Sequence, residues 1–207
     1  MTFLEILIKG GYLMIPIALA SLIAIYIFIE RLLTFRKLGV DTRSFILEVK
    51  NLILQGEIDD VIKLCNRTSG PIAKMTRVGI DNAGFARSDV KSAIDSAGQS
   101  EVYTLEKNLG MLATISGAAP MIGFLGTVTG MIRAFMEIQA RGGNVDAAVL
   151  AGGIWEALIT TAAGLAVGII ALILYNWLQG KVERMVFEME EASSELLNAI
   201  IGKRREQ

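Results

Sequence analysis

The sequence predicts an all-α integral membrane protein with three transmembrane helices and long cytoplasmic helical extensions. Hydrophobic residues make up 53% of the 207 residues and charged residues 20%, which departs from the composition of soluble domains. Three apolar runs are each long enough, at about 1.5 Å per helical residue, to cross a hydrocarbon core of roughly 30 Å. The chain has no histidine, one cysteine and a net charge of −1. This excludes histidine-dependent zinc sites and triads, a disulfide framework and the basic surface of a nucleic-acid-binding protein.

Residues 1–30 are predicted to form an N-terminal interfacial helix and the first transmembrane helix. Residues 1–9 are short and amphipathic, as expected of a helix lying on the outer membrane surface. The span follows from Tyr12 to Ile29, with Pro16 in its first turns, where a missing N–H costs least. Basic residues follow the span directly, so the positive-inside rule makes that side cytoplasmic and the N-terminus periplasmic.

Residues 31–107 are predicted to form a small cytoplasmic helical domain. Apolar residues recur at helical spacing up to Gly56 and again up to the break at Gly70-Pro71, and a further helix is expected from 72 to 82. Ser88 is expected to be the N-cap of the next helix, which would continue unbroken into the second span. Acidic and basic residues alternate here, which is typical of a solvated face, and no catalytic constellation is present.

The second span is placed at residues 108–136 and the third at 147–180, joined by an outer loop at 137–146. A cytoplasmic C-terminal helix is predicted for 181–207, because basic residues follow the third span. Both spans carry small residues at steps of three and four, which mark close helix–helix contacts with copies or partners. A proline is tolerated there when neighbouring groups satisfy the freed carbonyl. The residues predicted to serve this packing are Pro120, Gly123, Gly126, Gly130, Gly164 and Gly168.

Glu156 is the only acidic or basic residue between Asp146 and Lys181. An ionisable group within or at the margin of a membrane is costly and indicates a functional site. The alternative is an interfacial glutamate that simply ends the span. Helical geometry places Thr160 on a nearby face and Thr161 about 140° away from Glu156, so both hydroxyls do not point the same way as the carboxylate.

The other polar groups at membrane depth are the hydroxyls of Thr127, Thr129, Thr160 and Thr161. One interpretation is that they bond back to carbonyls of their own helices. The other is that several copies form a ring whose hydroxyls line a narrow pore for a small cation, because three spans are too few to enclose a pathway alone. No protonatable residue lies at mid-membrane, so a proton carrier at that depth must come from another protein.

Four stretches resemble the MotA/TolQ/ExbB proton channel family over nearly the whole chain. G-G-I-W-E-A-L-I-T-T-A-A-G-L at 152–165 is similar to the family signature in the third span. P-M-I-G-F-L-G-T-V-T-G-M at 120–131 is similar to its motif in the second span. G-Y-L-M-I-P-I-A-L-A-S in the first span, with Glu30-Arg31 at its end, and G-P-I-A at 70–73 resemble the ExbB/TolQ branch, which is ExbB-like.

The resemblance implies a pentameric ring in the bacterial inner membrane around a dimer of a single-span ExbD/TolR-like protein, which supplies a membrane aspartate. A TonB- or TolA-like periplasm-spanning protein is the further partner implied. Thr127 and Thr161 correspond to pore-lining threonines and Glu156 to the family glutamate. Thr160 stands where ExbB members often carry a small apolar residue, so its role stays open. No cofactor is implied; the transported ion is H⁺, with Na⁺ as the alternative.

The leading functional hypothesis is therefore a stator subunit that converts proton motive force into mechanical work on a periplasmic partner, of TonB or Tol type. The second is a non-conducting membrane scaffold that anchors a periplasmic machine. An intramembrane enzyme ranks last, because the sequence lacks paired membrane aspartates, histidine and a G-x-S-G motif, and no enzymatic activity is predicted. The client system and the ion are left open.

Overall fold

The computed structural model describes residues 10–39, 41–140 and 147–206, so the predicted interfacial helix at 1–9 lies outside the described residues. Every regular element in the described ranges is an α-helix, which confirms the all-α prediction. The helices are α1 (Met14–Leu38), α2 (Thr42–Gln55), α3 (Ile58–Arg67), α4 (Pro71–Asp81), α5 (Arg87–Leu105), α6 (Leu109–Ala140) and α7 (Ala147–Glu206).

Three helices, α1, α6 and α7, contain stretches long and apolar enough to cross a membrane. They are the three spans that the sequence predicts. Pro16 lies in the first turn of α1, and Pro120 lies inside α6. The chain divides into two compact units, one of Met1–Ile29 with Asn108–Trp177 and one of Glu30–Lys107 with Leu178–Gln207. The first unit holds most of the apolar length of the three helices.

In the first unit, the small residues of α6 pack directly against those of α7. A Cβ atom added to Gly164 would lie 2.5 Å from the Ala119 carbonyl oxygen, and one added to Gly130 would lie 2.9 Å from the Ala157 Cβ. The two helices approach so closely because glycine leaves room for the facing backbone. The small-residue stripes thus pack against each other inside one chain, whereas the sequence predicts that they pack against copies of the chain or against partner proteins.

The second unit contains α2 to α5 together with the C-terminal part of α7. Its buried apolar side chains come from several helices and include Val49, Ile53, Val61, Ile94 and Leu196. The predicted breaks are confirmed. Gly56 ends α2 in the left-handed region at φ +89°, where its N–H donates to carbonyls of the last turn. Pro71 opens α4 at its first position, where no N–H is required.

Two predictions about the next helix are wrong. α5 begins at Arg87 with Ala86 as N-cap, so Ser88 lies inside the first turn, and its hydroxyl donates to the Asp89 carboxylate instead of capping a backbone N–H. The unbroken helix into the second span is also absent, because α5 ends at Leu105 and α6 begins at Leu109. Asn108 adopts φ +67° at this break, a conformation that asparagine tolerates better than most residues.

The boundaries around the predicted outer loop also shift. α6 continues to Ala140, so the first four residues of the predicted loop at 137–146 are helical, and residues 141–146 lie outside the described residues. α7 then runs without interruption from Ala147 to Glu206, through both the predicted third span and the predicted C-terminal helix.

Candidate functional site

The carboxylate of Glu156 on α7 lies beside a basic side chain of α6. Its Oε1 is 3.5 Å from Nη1 of Arg133, and 35% of the glutamate side chain is exposed in the isolated chain. Gly130 of α6 faces Ala157 of α7 next to this pair. Because these small residues hold the two helices close together, the side chains of Arg133 and Glu156 can meet. The charge that the sequence singled out therefore has a partner of opposite sign.

Arg133 has a second contact, with the aromatic ring of Tyr12 just before α1. The central carbon of the guanidinium lies 5.0 Å from the ring centroid, within the range of a cation–π interaction. Such a contact stabilises a cation by roughly 0.5–2 kcal/mol, the larger values applying where water is excluded. Arg133 thus lies between a carboxylate and a π face.

The backbone entering α1 completes the site. Gly11 has φ +71°, and a Cβ atom added there would collide with Oε1 of Glu156. A side chain at this position would be strained and would displace the carboxylate. Glycine therefore allows Glu156 to lie directly against the chain.

A small polar cavity of about 10 Å³ lies among these groups, which is about the space that one water molecule occupies. It lies between the chain entering α1 and the packed faces of α6 and α7. Its lining residues are Gly10, Tyr12, Leu13, Gly126, Thr129, Gly130, Arg133, Glu156 and Thr160.

Thr160 is 1% exposed and lies on this cavity with Glu156, as the helical spacing predicted. Its hydroxyl oxygen is 2.9 Å from the carbonyl oxygens of both Gly10 and Glu156. A hydroxyl has one proton to donate, so these two carbonyls share or compete for it. Thr160 therefore joins α7 to the segment that precedes α1.

Thr161 makes a different contact, donating its hydroxyl to the Gly123 carbonyl of α6 at 2.8 Å. Its direction differs from that of Thr160, in agreement with the predicted angular separation. Thr127 donates to its own helix at Phe124, and Thr129 does so at Leu125. Thr127 and Thr129 thus donate to carbonyls of their own helix, as Thr160 does in one of its two contacts. Thr161 instead donates to the other helix.

Thr127 lies beside the face of α6 that packs on α7. Thr127 is half-buried, and the residues of α6 that lie closest to α7 are its neighbours. A Cβ atom added to Gly126 would meet the Thr160 side chain, and one added to Gly123 would lie 3.0 Å from the Thr160 carbonyl oxygen. Gly168 faces Pro120 in the same interface. All six residues predicted to serve packing therefore lie between α6 and α7.

Sequence reasoning missed Arg133, Tyr12 and the Gly10-Gly11 pair as members of the site. In the sequence, Arg133 is simply a basic residue in the last turn of the predicted second span, at 108–136. The available signal was topological: consecutive spans run in opposite directions, so the end of the second span lies near the start of the third, where Glu156 stands. In the described part of the chain, no cluster of three or more His, Cys, Asp or Glu side chains is arranged to hold a metal ion.

The sequence profile of the MotA/TolQ/ExbB proton channel family matches residues 67–191, a range that includes α6, Glu156 and both threonines of the third span. The chain belongs to this family. A relative described as a biopolymer transport protein ExbB homolog, from Methanothermobacter thermautotrophicus, is 31% identical over 190 residues. That alignment covers 91% of this chain and 67% of the relative.

Two further relatives each align over less than half of this chain. The biopolymer transport protein ExbB of Pseudomonas putida is 37% identical over 93 residues, which cover 45% of this chain and 28% of the relative. The Tol-Pal system protein TolQ of Haemophilus influenzae is 39% identical over 90 residues, or 44% and 39% of the two chains. These similarities support the ExbB-like branch. Family membership and three long apolar helices together indicate an integral membrane protein, of the inner membrane in a bacterium.

Proposed function

We propose that this chain is the ion-channel and stator subunit of a complex that converts proton motive force into mechanical work on a periplasmic partner. The observation that carries the proposal is Glu156, an ionisable carboxylate held on two packed apolar helices of a proton channel family member. A charge in such a position is costly and is retained where it serves ion movement. Each elementary charge that crosses supplies about 2.3 kcal/mol per 100 mV, so a few ions suffice for conformational work.

The hydroxyls of Thr127 and Thr161 contribute acceptor oxygens. Each donates its single proton to a backbone carbonyl, at Phe124 and Gly123 respectively. The hydroxyl oxygen keeps lone pairs after donating, so it remains able to accept a hydrogen bond from a protonated water or to ligate a cation. In the proposed function these oxygens hold water next to a proton carrier supplied by the partner.

The proposed assembly is a homopentamer around two copies of a single-span ExbD/TolR-like protein, which acts on a TonB- or TolA-like periplasm-spanning protein. The names of the relatives, which refer to biopolymer transport and to the Tol-Pal system, support this class of client. The chain itself offers no carboxylate at mid-span on its three long helices. A membrane aspartate from the partner would supply the group that carries the proton.

The test is ion flux in liposomes that contain the chain together with a single-span ExbD/TolR-like protein. Internal acidification is followed with a pH-sensitive dye under an imposed membrane potential. We expect flux in sodium-free buffer, and partner-driven activity in cells that collapses with a protonophore. Glu156→Gln, Thr127→Ala and Thr161→Ala should each abolish both while the complex still assembles. Thr114→Ala is the matched control, because the Thr114 hydroxyl also bonds back along α6 but is exposed.

Sodium is the alternative ion, since threonine oxygens suit sodium as well as water. A complex that stalls without sodium and tolerates the protonophore would reassign the ion. Thr160 and Thr161 would then be the first residues to test as ligands.

The second candidate function is a non-conducting scaffold, which the occupied threonine hydroxyls favour. If these side chains only tie the backbone together, as their bonds to carbonyls allow, Thr127→Ala and Thr161→Ala would leave client activity intact. Full activity in both variants, with flux absent from the wild type, would establish the scaffold over the channel.

A further inference from the structure

Arg133 stands out because its guanidinium contacts both a carboxylate and an aromatic ring near the C-terminal end of α6. It lies 3.5 Å from Glu156 Oε1 and 5.0 Å from the centre of the Tyr12 ring. The two contacts come from different segments of the chain, one from α7 and one from the approach to α1. A side chain held from two sides has a defined position, which a freely solvated arginine lacks.

We propose that Arg133 is a positioning residue for Glu156: it holds the carboxylate against Gly11 in the resting state, so that an arriving cation must compete with Arg133 for it. This inference rests on the proposed function, because it concerns how Glu156 takes part in ion coupling. It assigns to Arg133 a role that does not follow from its place at the end of the span.

The chemistry of the two groups supports this assignment. In the isolated chain the side chains of Arg133 and Glu156 are 54% and 35% exposed. In the membrane setting of the proposed function, removing one partner of the pair would leave a charge that is uncompensated and costly. Arginine also suits the position better than lysine, because its planar guanidinium stacks on an aromatic ring while it donates to a carboxylate. Both contacts are present at Arg133.

The backbone restricts the carboxylate from the other side. A Cβ atom on Gly11 would overlap with Glu156 Oε1, so the carboxylate occupies the space that any other residue would fill. The cavity of about 10 Å³ beside it admits one water-sized species. A cation in that cavity would lie next to both Glu156 and Arg133, attracted by the first and repelled by the second. Release of the carboxylate from Arg133 therefore accompanies cation binding.

The first arm of the test uses the purified chain in lipid nanodiscs and does not depend on ion flux. The side-chain Nε signal of Arg133, assigned by its loss in Arg133→Gln, is recorded by nitrogen NMR. We expect Glu156→Gln to shift this signal and Glu48→Gln, a carboxyl in the other unit, to leave it unchanged. An Arg133 signal that does not respond to Glu156→Gln would overturn the proposal whatever the flux results.

The second arm measures flux in the liposomes that contain the partner. Arg133→Gln should lower flux by about tenfold, within the range of couplings between contacting residues, because nothing would then hold Glu156 at the cavity. Arg133→Lys keeps the charge but not the planar stack, so it should lose less flux than Arg133→Gln. Tyr12→Phe should act as the wild type and Tyr12→Leu should lower flux, because phenylalanine keeps the π face. Gly11→Ala should also lower flux, with Gly117→Ala as its control, since a Cβ on Gly117 would meet nothing within 4 Å.

Full flux in Arg133→Gln would overturn the proposal. So would an equal loss in Arg133→Gln and Arg133→Lys, because packing and not charge would then be what Arg133 supplies. Native mass spectrometry of each variant is the control for assembly, which we expect to be unchanged. A wild type without flux would contradict the proposed function instead, and the NMR arm would still decide whether Arg133 positions Glu156.

Discussion

The adjacent residues Thr160 and Thr161 use their hydroxyls in different directions. Thr160 is bonded to Gly10 and to its own helix, whereas Thr161 donates across the helix pair to Gly123. An interhelical hydrogen bond in a membrane contributes about 0.6 kcal/mol on average. The Thr161 hydroxyl is therefore expected to contribute little to stability, whereas its expected effect on ion flux is large.

This difference gives a prediction for Thr161→Val, which keeps the shape and removes the hydroxyl. We expect stability to fall by about 0.6 kcal/mol in an SDS-titration unfolding experiment, while flux is abolished. Thr161→Ser keeps a donor and acceptor and should retain flux. Thr129→Val is the control for stability, because the Thr129 hydroxyl bonds only along α6 in the described contacts. A Thr161→Val variant with full flux would remove Thr161 from the conduction path.

Cys65 provides a residue-scale prediction outside the membrane spans. Burial raises the pKa of its thiol to about 11 from an ordinary value of 9.0, so a smaller fraction of the thiol is deprotonated at neutral and mildly alkaline pH. The thiolate is the nucleophile, and two pKa units lower its fraction by roughly 100-fold near pH 8. Alkylation of the folded protein by iodoacetamide, followed by mass spectrometry, should therefore be slow.

A swap of the thiol to a nearby exposed site is the control for Cys65. Cys65→Ser with Ser69→Cys moves the thiol four residues, to an exposed position, and should be alkylated quickly. The unfolded chain releases the Cys65 proton at lower pH than the folded chain, so this residue's contribution to stability should decline as pH rises above about 9. Equal alkylation rates for the two proteins would contradict the burial of Cys65.

The residues of the site differ in how far the sequence reveals them. Glu156 is recognisable because it is a single charge in a long apolar run, and the shared cavity of Glu156 and Thr160 follows from their spacing of one helical turn. The contacts of Arg133 and Tyr12 depend on the register between α6, α7 and the chain before α1. Hydrophobic periodicity sets which face of each helix is apolar, but it does not fix this register.

At the scale of helices, the pairing of α6 with α7 depends on glycines that a larger side chain would separate. Gly164→Leu would place atoms where the Ala119 carbonyl and the Gly123 backbone now lie, at 2.5 and 2.9 Å from the position of an added Cβ. Overpacking of this kind costs about 1–3 kcal/mol or more. We expect a matching loss of stability, measured by SDS-titration unfolding and circular dichroism.

Gly117→Leu is the matched control for Gly164→Leu, because it makes the same change at a glycine of the partner helix α6. Gly117 has no neighbouring atom within 4 Å of an added Cβ, so its substitution should leave the isolated chain as stable as the wild type. The same reasoning applies to Gly110. A larger loss of stability in Gly117→Leu than in Gly164→Leu would contradict the observed pairing of α6 with α7.

The helix boundaries show where local sequence signals are sufficient. Gly56 and Gly70-Pro71 end and begin helices as predicted, because glycine and proline alter the backbone in any context. The break after α5 has no such residue, only Asn108 in a left-handed conformation that asparagine permits and does not require. Tertiary packing selects that conformation, so the sequence alone predicted one continuous helix.

At the scale of the whole molecule, the described spans leave extensive apolar surface uncovered in a single chain. Large side chains on all three long helices are exposed, among them Ile15, Leu22, Phe124, Phe135, Ile169 and Ile173. Lipid and other subunits are the two environments that would cover them. Composition and periodicity predict the three spans, but they do not say which exposed face meets lipid and which meets another subunit.

The number of subunits is the last prediction. The facing small residues of α6 and α7 are already used inside the chain. In the proposed function, the walls of the ion pathway therefore come from other faces of several copies. The proposed assembly sets the expected number at five. Native mass spectrometry of the 22.4 kDa chain released from detergent should give a pentamer, and coexpression with the single-span partner should add two partner copies. Gly117→Leu, which leaves the isolated chain unstrained, should be examined in parallel, because a loss of the pentamer in that variant would place Gly117 between subunits. A monomer or dimer that persists across the working concentration range would leave no enclosed pathway for Glu156 to serve, and the channel proposal would fall with it.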